Sequence, residues 1–173
     1  MNVTADRDDD LVYTERISST RTEALFLALT VLFALLSVRR VKAKRRDILS
    51  TTFCCFFAIF LFYSVNYRTL IIRLTPEALK LKFGIFTWVV PLANIEECHL
   101  DELPAAIRLG GAGIHFMSIG GRYRASYNFL EHPRIVIALK RQAGPVRDIS
   151  FSTRRPDDVL RLIREAVSAK RAA

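Results

Sequence analysis

The sequence predicts a helical hairpin in a membrane, followed by a mainly-β barrel or sandwich that a C-terminal amphipathic helix caps. Three observations carry that expectation. Two apolar runs without a charged residue occupy residues 24–38 and 48–65. From residue 67 the apolar spacing changes from helical to alternating, the period of half-buried strands. The chain then ends in a segment of helical spacing that opens with Pro156.

The elements follow in order. Residues 1–21 read as an acidic tail; residues 1–23 hold three Arg against six Asp and Glu. The first run, "ALFLALTVLFALLSV", has Thr30 and Ser37 as its polar members. The second, "ILSTTFCCFFAIFLFYSV", is close to the ~20 residues that cross ~30 Å of hydrocarbon. Arg39 and Arg40 can snorkel and lengthen the first. The spans are placed at about 22–40 and 47–66. The soluble remainder is too small to bury two such helices. A cleavable signal peptide fits poorly, because the start is acidic and the first run begins late.

The loop 39–46 carries Arg39, Arg40, Lys42, Lys44, Arg45 and Arg46. A short loop so rich in Lys and Arg is expected to stay cytoplasmic and to determine topology. The N-terminus and the C-terminal domain would then lie outside the cytoplasm. The net charge of +9 suggests nucleic acid at first, but this one loop concentrates much of it. No nucleic-acid partner is expected, since that reading leaves both apolar runs unexplained.

Residues 67–168 form the β domain. "RTLIIRL" (68–74) is rich in branched residues, and "TPEA" (75–78) is a turn signal. "LKLKF" (79–83) alternates, with Lys80 and Lys82 on the polar side; alternation alone accounts for these two lysines. Gly84 turns the chain into "IFTWVV" (85–90). "PLAN" opens an irregular turn before the strand around Cys98. The segment 108–129 holds five of the chain's seven glycines, spaced for β-turns and bulges and without a nucleotide-loop pattern. "RIVIALKR" (134–141) and "RDISFST" (147–153) are further strands, about seven in all. The helix is placed at 156–168, with Pro156 at its first position and Asp157 and Asp158 in its first turn.

Thr75, Pro76, Glu77, Leu79, Trp88, Pro91, Leu92 and Ile95, followed by "FST", Pro156 and the closing helix, resemble the bacterial pleckstrin-homology-like domains attached to membrane helices. Ala78 stands where many members have glycine. The resemblance covers roughly residues 67–167. It implies a pleckstrin-homology-like β domain in an integral protein of a prokaryotic plasma (inner) membrane. It further implies a non-catalytic module for lipid, peptide or protein.

Candidate site residues come from "GGRYRASYNF". Arg122 and Arg124 share one strand face, with Tyr123 on the other, beside a glycine turn. Arg108 can join them in space. Guanidinium groups so placed suit an anionic headgroup or a partner's carboxylates. No nucleophile–base–acid set emerges, His99, His115 and His132 lack ligand spacing, and the three cysteines have no zinc pattern. No catalytic residue, metal or cofactor is expected. The expected function is a membrane-anchored binding module that contacts membrane lipids or a partner membrane protein, or associates with itself. The alternative is a structural or assembly subunit whose helices are the main interaction surface.

Overall fold

The computed structural model describes residues 11–44, 47–102, 113–129 and 131–172. Helix α1 (Thr20–Lys42) and helix α2 (Ile48–Asn66) form the hairpin, each long and apolar enough to cross a membrane. Ser19 caps α1 by accepting from the Thr22 amide at 3.1 Å, and Asp47 caps α2 through the Ser50 amide at 3.0 Å. These caps satisfy amides left open at a helix start. Phe33 of α1 sits against Phe53, Phe56 and Phe60 of α2, and Thr30 meets the Ser64 hydroxyl at 3.3 Å. The aromatic content of the second run thus zips the hairpin, while Cys54 and Cys55 face outward as free thiols.

Strand β1 (Tyr13–Ile17) pairs antiparallel with β2 (Leu70–Leu74), on the far side of the hairpin in sequence. Both hairpin ends are therefore anchored in one sheet, so β1 and the β domain share a side of any membrane the hairpin crosses. Residues 13–17, read from the sequence as tail, are an edge strand. Their partner is nonlocal, which a local pattern does not reveal.

The first sheet has the order β1–β2–β3–β4, with β3 at Ala78–Phe83 and β4 at Phe86–Pro91. A 3-10 turn, Leu92–Asn94, leads into β5 (Ile95–Leu100). The second sheet adds β6 (Gly113–Ile119), β7 (Arg122–Asn128), β8 (Arg134–Ala143) and β9 (Val146–Ser152), ordered β5–β8–β9–β7–β6. Strands β7 and β9 run parallel, and the other ladders are antiparallel. Gly120 and Gly121, both at positive φ, form the β6–β7 turn that the glycine spacing predicts. Among the described residues nine strands make two separate sheets rather than a closed barrel.

The core lies between the sheets. Leu70, Ile72, Leu79, Leu81 and Phe83 of the first meet Tyr127, Phe129, Ile135, Ile137, Ile149 and Phe151 of the second. Helix α3 (Pro156–Ala172) adds Val159, Leu160, Ile163 and Val167 to that core. It also latches the open edge of β5: Arg164 donates to the Cys98 carbonyl at 3.0 Å, and Arg171 to the Glu96 carbonyl at 3.1 Å. A covered edge resists pairing with another chain.

Candidate functional site

Strand alternation gives each sheet an inner and an outer face, and the outer faces carry the charge. On the second sheet, Arg124, Ser126 and Asn128 of β7 lie beside Asp148, Ser150 and Ser152 of β9 and Arg134 of β8. All seven are buried. This face carries a network. Arg122 Nη2 lies 2.7 Å from Asp148 Oδ1, and Arg124 Nη2 lies 3.8 Å from Asp148 Oδ2. Arg124 Nη1 reaches Asp101 Oδ1 at 3.3 Å. The Ser126 and Ser150 hydroxyls meet at 2.8 Å.

Arg122 and Arg124 thus face two carboxylates, while Arg134 adds a third guanidinium, itself buried, to the same face. The structure brings the sequence-predicted Arg122 and Arg124 together and occupies both with internal partners. Asp101 and Asp148 lie 23 and 26 residues from their arginines, so no local motif announces them. Tyr123 faces the other way and stacks on Phe116, ring centroids 6.0 Å apart. Arg108 lies outside the described residues, as do Arg45 and Arg46 of the basic loop. His115, on β6 opposite Ser126, has its pKa pushed below 6.5, chiefly by burial and then by the Arg134 charge.

The outer face of the first sheet has a different composition. One row across it reads Arg16, Ile71, Lys82, Thr87; the next reads Thr14, Arg73, Lys80, Val89. None of these positions holds an acidic residue. Arg16, Arg68 and Lys82 are exposed. Together with Val65, Asn66, Thr69, Ile71 and Gly84 they line a groove of about 360 Å³. Val65 and Asn66 are the last two residues of α2, so the groove opens at the hairpin root. Sequence reasoning assigned Lys82 to strand alternation alone and gave Arg16 and Arg68 no place in a site. The available signal was the absence of acid at the outward positions of three successive strands, which needs the register to be seen.

The root itself is braced. Tyr67 stacks on Tyr63 at 4.7 Å and meets Phe83 at 5.1 Å. Phe26 of α1 stacks on Tyr63 at 5.3 Å. The Arg21 amide donates to Glu131 Oε1 at 3.0 Å, placing a carboxylate at the positive start of α1. Glu15 accepts from the Thr153 hydroxyl at 2.6 Å and the Arg154 amide at 2.9 Å, tying β1 to the start of α3. Tyr13, beside Glu15, has its phenol pushed up to about 12 by burial and by that carboxylate.

Arg39, Arg40 and Lys42 occupy the last turn of α1, and Lys44 follows at positive φ. Arg40 also pairs with Asp47 at 2.5 Å. These cations sit at the hairpin tip. At ~1.5 Å per residue the 23 residues of α1 put them roughly 34 Å from the β domain. Among the described residues no group of His, Cys, Asp and Glu is arranged to hold a metal ion. No family model, curated protein or solved structure matches the chain.

Proposed function

We propose that the protein is a membrane-anchored, non-catalytic binding module whose β domain contacts anionic lipid headgroups. The observation that carries this reading is the groove lined by the exposed Arg16, Arg68 and Lys82, which opens at the hairpin root. Charge complementarity favours a phosphate-bearing surface there, and the tether keeps the domain beside one at high effective concentration. The two facing sheets and the closing helix support reading the domain as pleckstrin-homology-like. The basic hairpin tip favours the cytoplasmic side of a prokaryotic plasma membrane for the loop, and so the external side for the domain. Reporters that work on only one side, fused after Ala173, test that orientation.

The binding test uses the full chain in nanodiscs, comparing phosphatidylglycerol with phosphatidylcholine as the lipid retained around the protein. A Lys or Arg near an anionic surface contributes about 1 kcal/mol. Arg16→Gln/Arg68→Gln/Lys82→Gln should therefore lower the preference for phosphatidylglycerol by about 100-fold, given about 1.4 kcal/mol per decade. An unchanged preference in the triple variant sinks the headgroup reading.

A second reading, an assembly subunit that binds through its helices, rests on a separate observation. Helix α2 has no buried residue, so its apolar surface away from α1 is open. A stoichiometric partner that co-purifies in mild detergent, and is lost when α2 is replaced by a generic apolar helix, would favour it.

A further inference from the structure

The turn between β3 and β4 is unusual in what it exposes. Two-residue hairpin turns favour glycine, asparagine and aspartate, which suit the backbone and face water. Here the turn is Gly84-Ile85, followed by Phe86. Ile85 is 70% exposed and Phe86 40% exposed. Beside them Val65, in the last turn of α2, is 66% exposed. Three apolar side chains are thus open to the surroundings at the corner next to the hairpin root.

That corner is fixed to the hairpin. Gly84 takes φ 60, and a Cβ there would lie 2.2 Å from the Asn66 carbonyl oxygen, so the turn is seated directly on the end of α2. The Phe86 ring lies 6.4 Å from that of Phe62 and stacks on Tyr67 at 6.3 Å. Phe62 is a full helical turn below Asn66. The turn therefore reaches back alongside the last turn of α2 instead of pointing away from it.

We infer that the β3–β4 turn is a membrane-inserting wedge that seats the β domain on the leaflet at the hairpin root. The inference rests on the proposed reading of the chain as membrane-anchored. The 19 residues of α2 rise roughly 28 Å, close to the ~30 Å hydrocarbon thickness. Its last turn then lies at the edge of the hydrocarbon, where tyrosines such as Tyr63 concentrate. Ile85 and Phe86, held at that depth, meet acyl chains and glycerol rather than water. Arg68 and Lys82, which line the groove beside Gly84, come level with the phosphates. The order of apolar tip, aromatic girdle and cationic groove matches the order of layers in a leaflet. The occupant of this corner is the lipid leaflet itself.

The test uses Ile85→Trp in the full chain, in nanodiscs made with brominated-chain lipid, and reads the emission added to that of native Trp88. Ile85 is exposed, so the larger ring has room. Val89→Trp is the control, four residues further on in β4 and about 13 Å away at ~3.3 Å per residue. The tryptophan at 85 should be blue-shifted, quenched by the brominated chains and protected from aqueous acrylamide; that at 89 should behave oppositely. Quenching of the residue-85 signal by acrylamide, without loss in brominated lipid, overturns the wedge. Insertion is apolar, so it should occur in phosphatidylcholine and phosphatidylglycerol alike. A tryptophan at 85 that inserts, beside a triple variant with unchanged lipid preference, keeps the wedge and removes the headgroup reading. Retained lipid preference with an aqueous residue 85 does the reverse.

Discussion

The outer faces of the two sheets both carry arginines placed there by strand alternation, and they reach opposite physical states. On the first sheet Arg16 and Lys82 flank Ile71 in one row, and both are exposed. On the second sheet Arg124 stands directly opposite Asp148, and its side chain is 9% exposed against 6% for the carboxylate. One face keeps Arg16 and Lys82 exposed; the other pairs Arg122 and Arg124 with carboxylates and buries Arg124. Alternation says which residues share a face. The strand lying alongside determines whether a charge on that face is available to a ligand.

The largest expected effect breaks this comparison at Asp148. That carboxylate is shared by Arg122 and Arg124, so Asp148→Ala strands a buried guanidinium with only Asp101 beside it. Removing one partner of a buried pair costs about 3–5 kcal/mol. Chemical unfolding of the full chain in detergent should show a loss of that size. A loss under about 1 kcal/mol would instead match an exposed pair and would return Arg122 and Arg124 to candidacy as a ligand site.

Next in size is Gly84→Ala, which tests how firmly the first sheet is held to the hairpin. The left-handed backbone at Gly84 costs a residue with a side chain about 1–2 kcal/mol. The approach of Asn66 adds to this, because its carbonyl is backbone and has little freedom to move aside. The same unfolding measurement should register the loss. A neutral outcome would mean that the turn can lift from α2, and would detach the cationic groove from the hairpin root.

What the sequence revealed follows the range of the interactions involved. The hairpin, the β2–β3–β4 meander and helix α3 are set by local periodicity and by single residues such as Gly84 and Pro156, and all were legible. Helix α1 starts slightly ahead of its expected bound because Ser19 caps it before the apolar stripe begins, and α3 continues past residue 168 to Ala172, whereas α2 stays within its expected bounds. Strand β1 was hidden, because "YTERI" becomes a strand only beside Leu70–Leu74. The site was legible in part. The pairing of Arg122 with Arg124 on one face was visible, but Asp101 and Asp148 arrive from other strands. The acid-free face containing Arg16 and Lys82 exists only once three strands are in register.

His115 sharpens the description of the second face with a smaller effect. It shares that face with Arg134, Arg124 and Asp101, and its pKa is depressed below 6.5 by burial and then by Arg134. Between the depressed folded value and 6.5 the unfolded chain binds more protons at this site than the folded chain. Its contribution to stability is therefore complete above pH 6.5 and is lost as pH falls through the folded value. His115→Gln should flatten this part of the stability–pH curve and leave the region above it parallel to wild type. An identical slope in both proteins would mean that His115 is as well hydrated as in the unfolded chain, and that this end of the face is open.

The smallest expected effect on stability falls on the first sheet. Arg16, Arg68 and Lys82 are exposed, and surface substitutions of this kind usually stay within about 0.5 kcal/mol. Relief of repulsion among these three cations offsets what their aliphatic stems contribute by packing. Arg16→Gln/Arg68→Gln/Lys82→Gln should therefore unfold almost as wild type while losing its preference for anionic lipid. This combination separates a surface kept for an external partner from one that holds the fold together. A triple variant destabilised as strongly as Asp148→Ala would mean that these cations are structural too, and the contrast between the two faces would reduce to one of exposure alone.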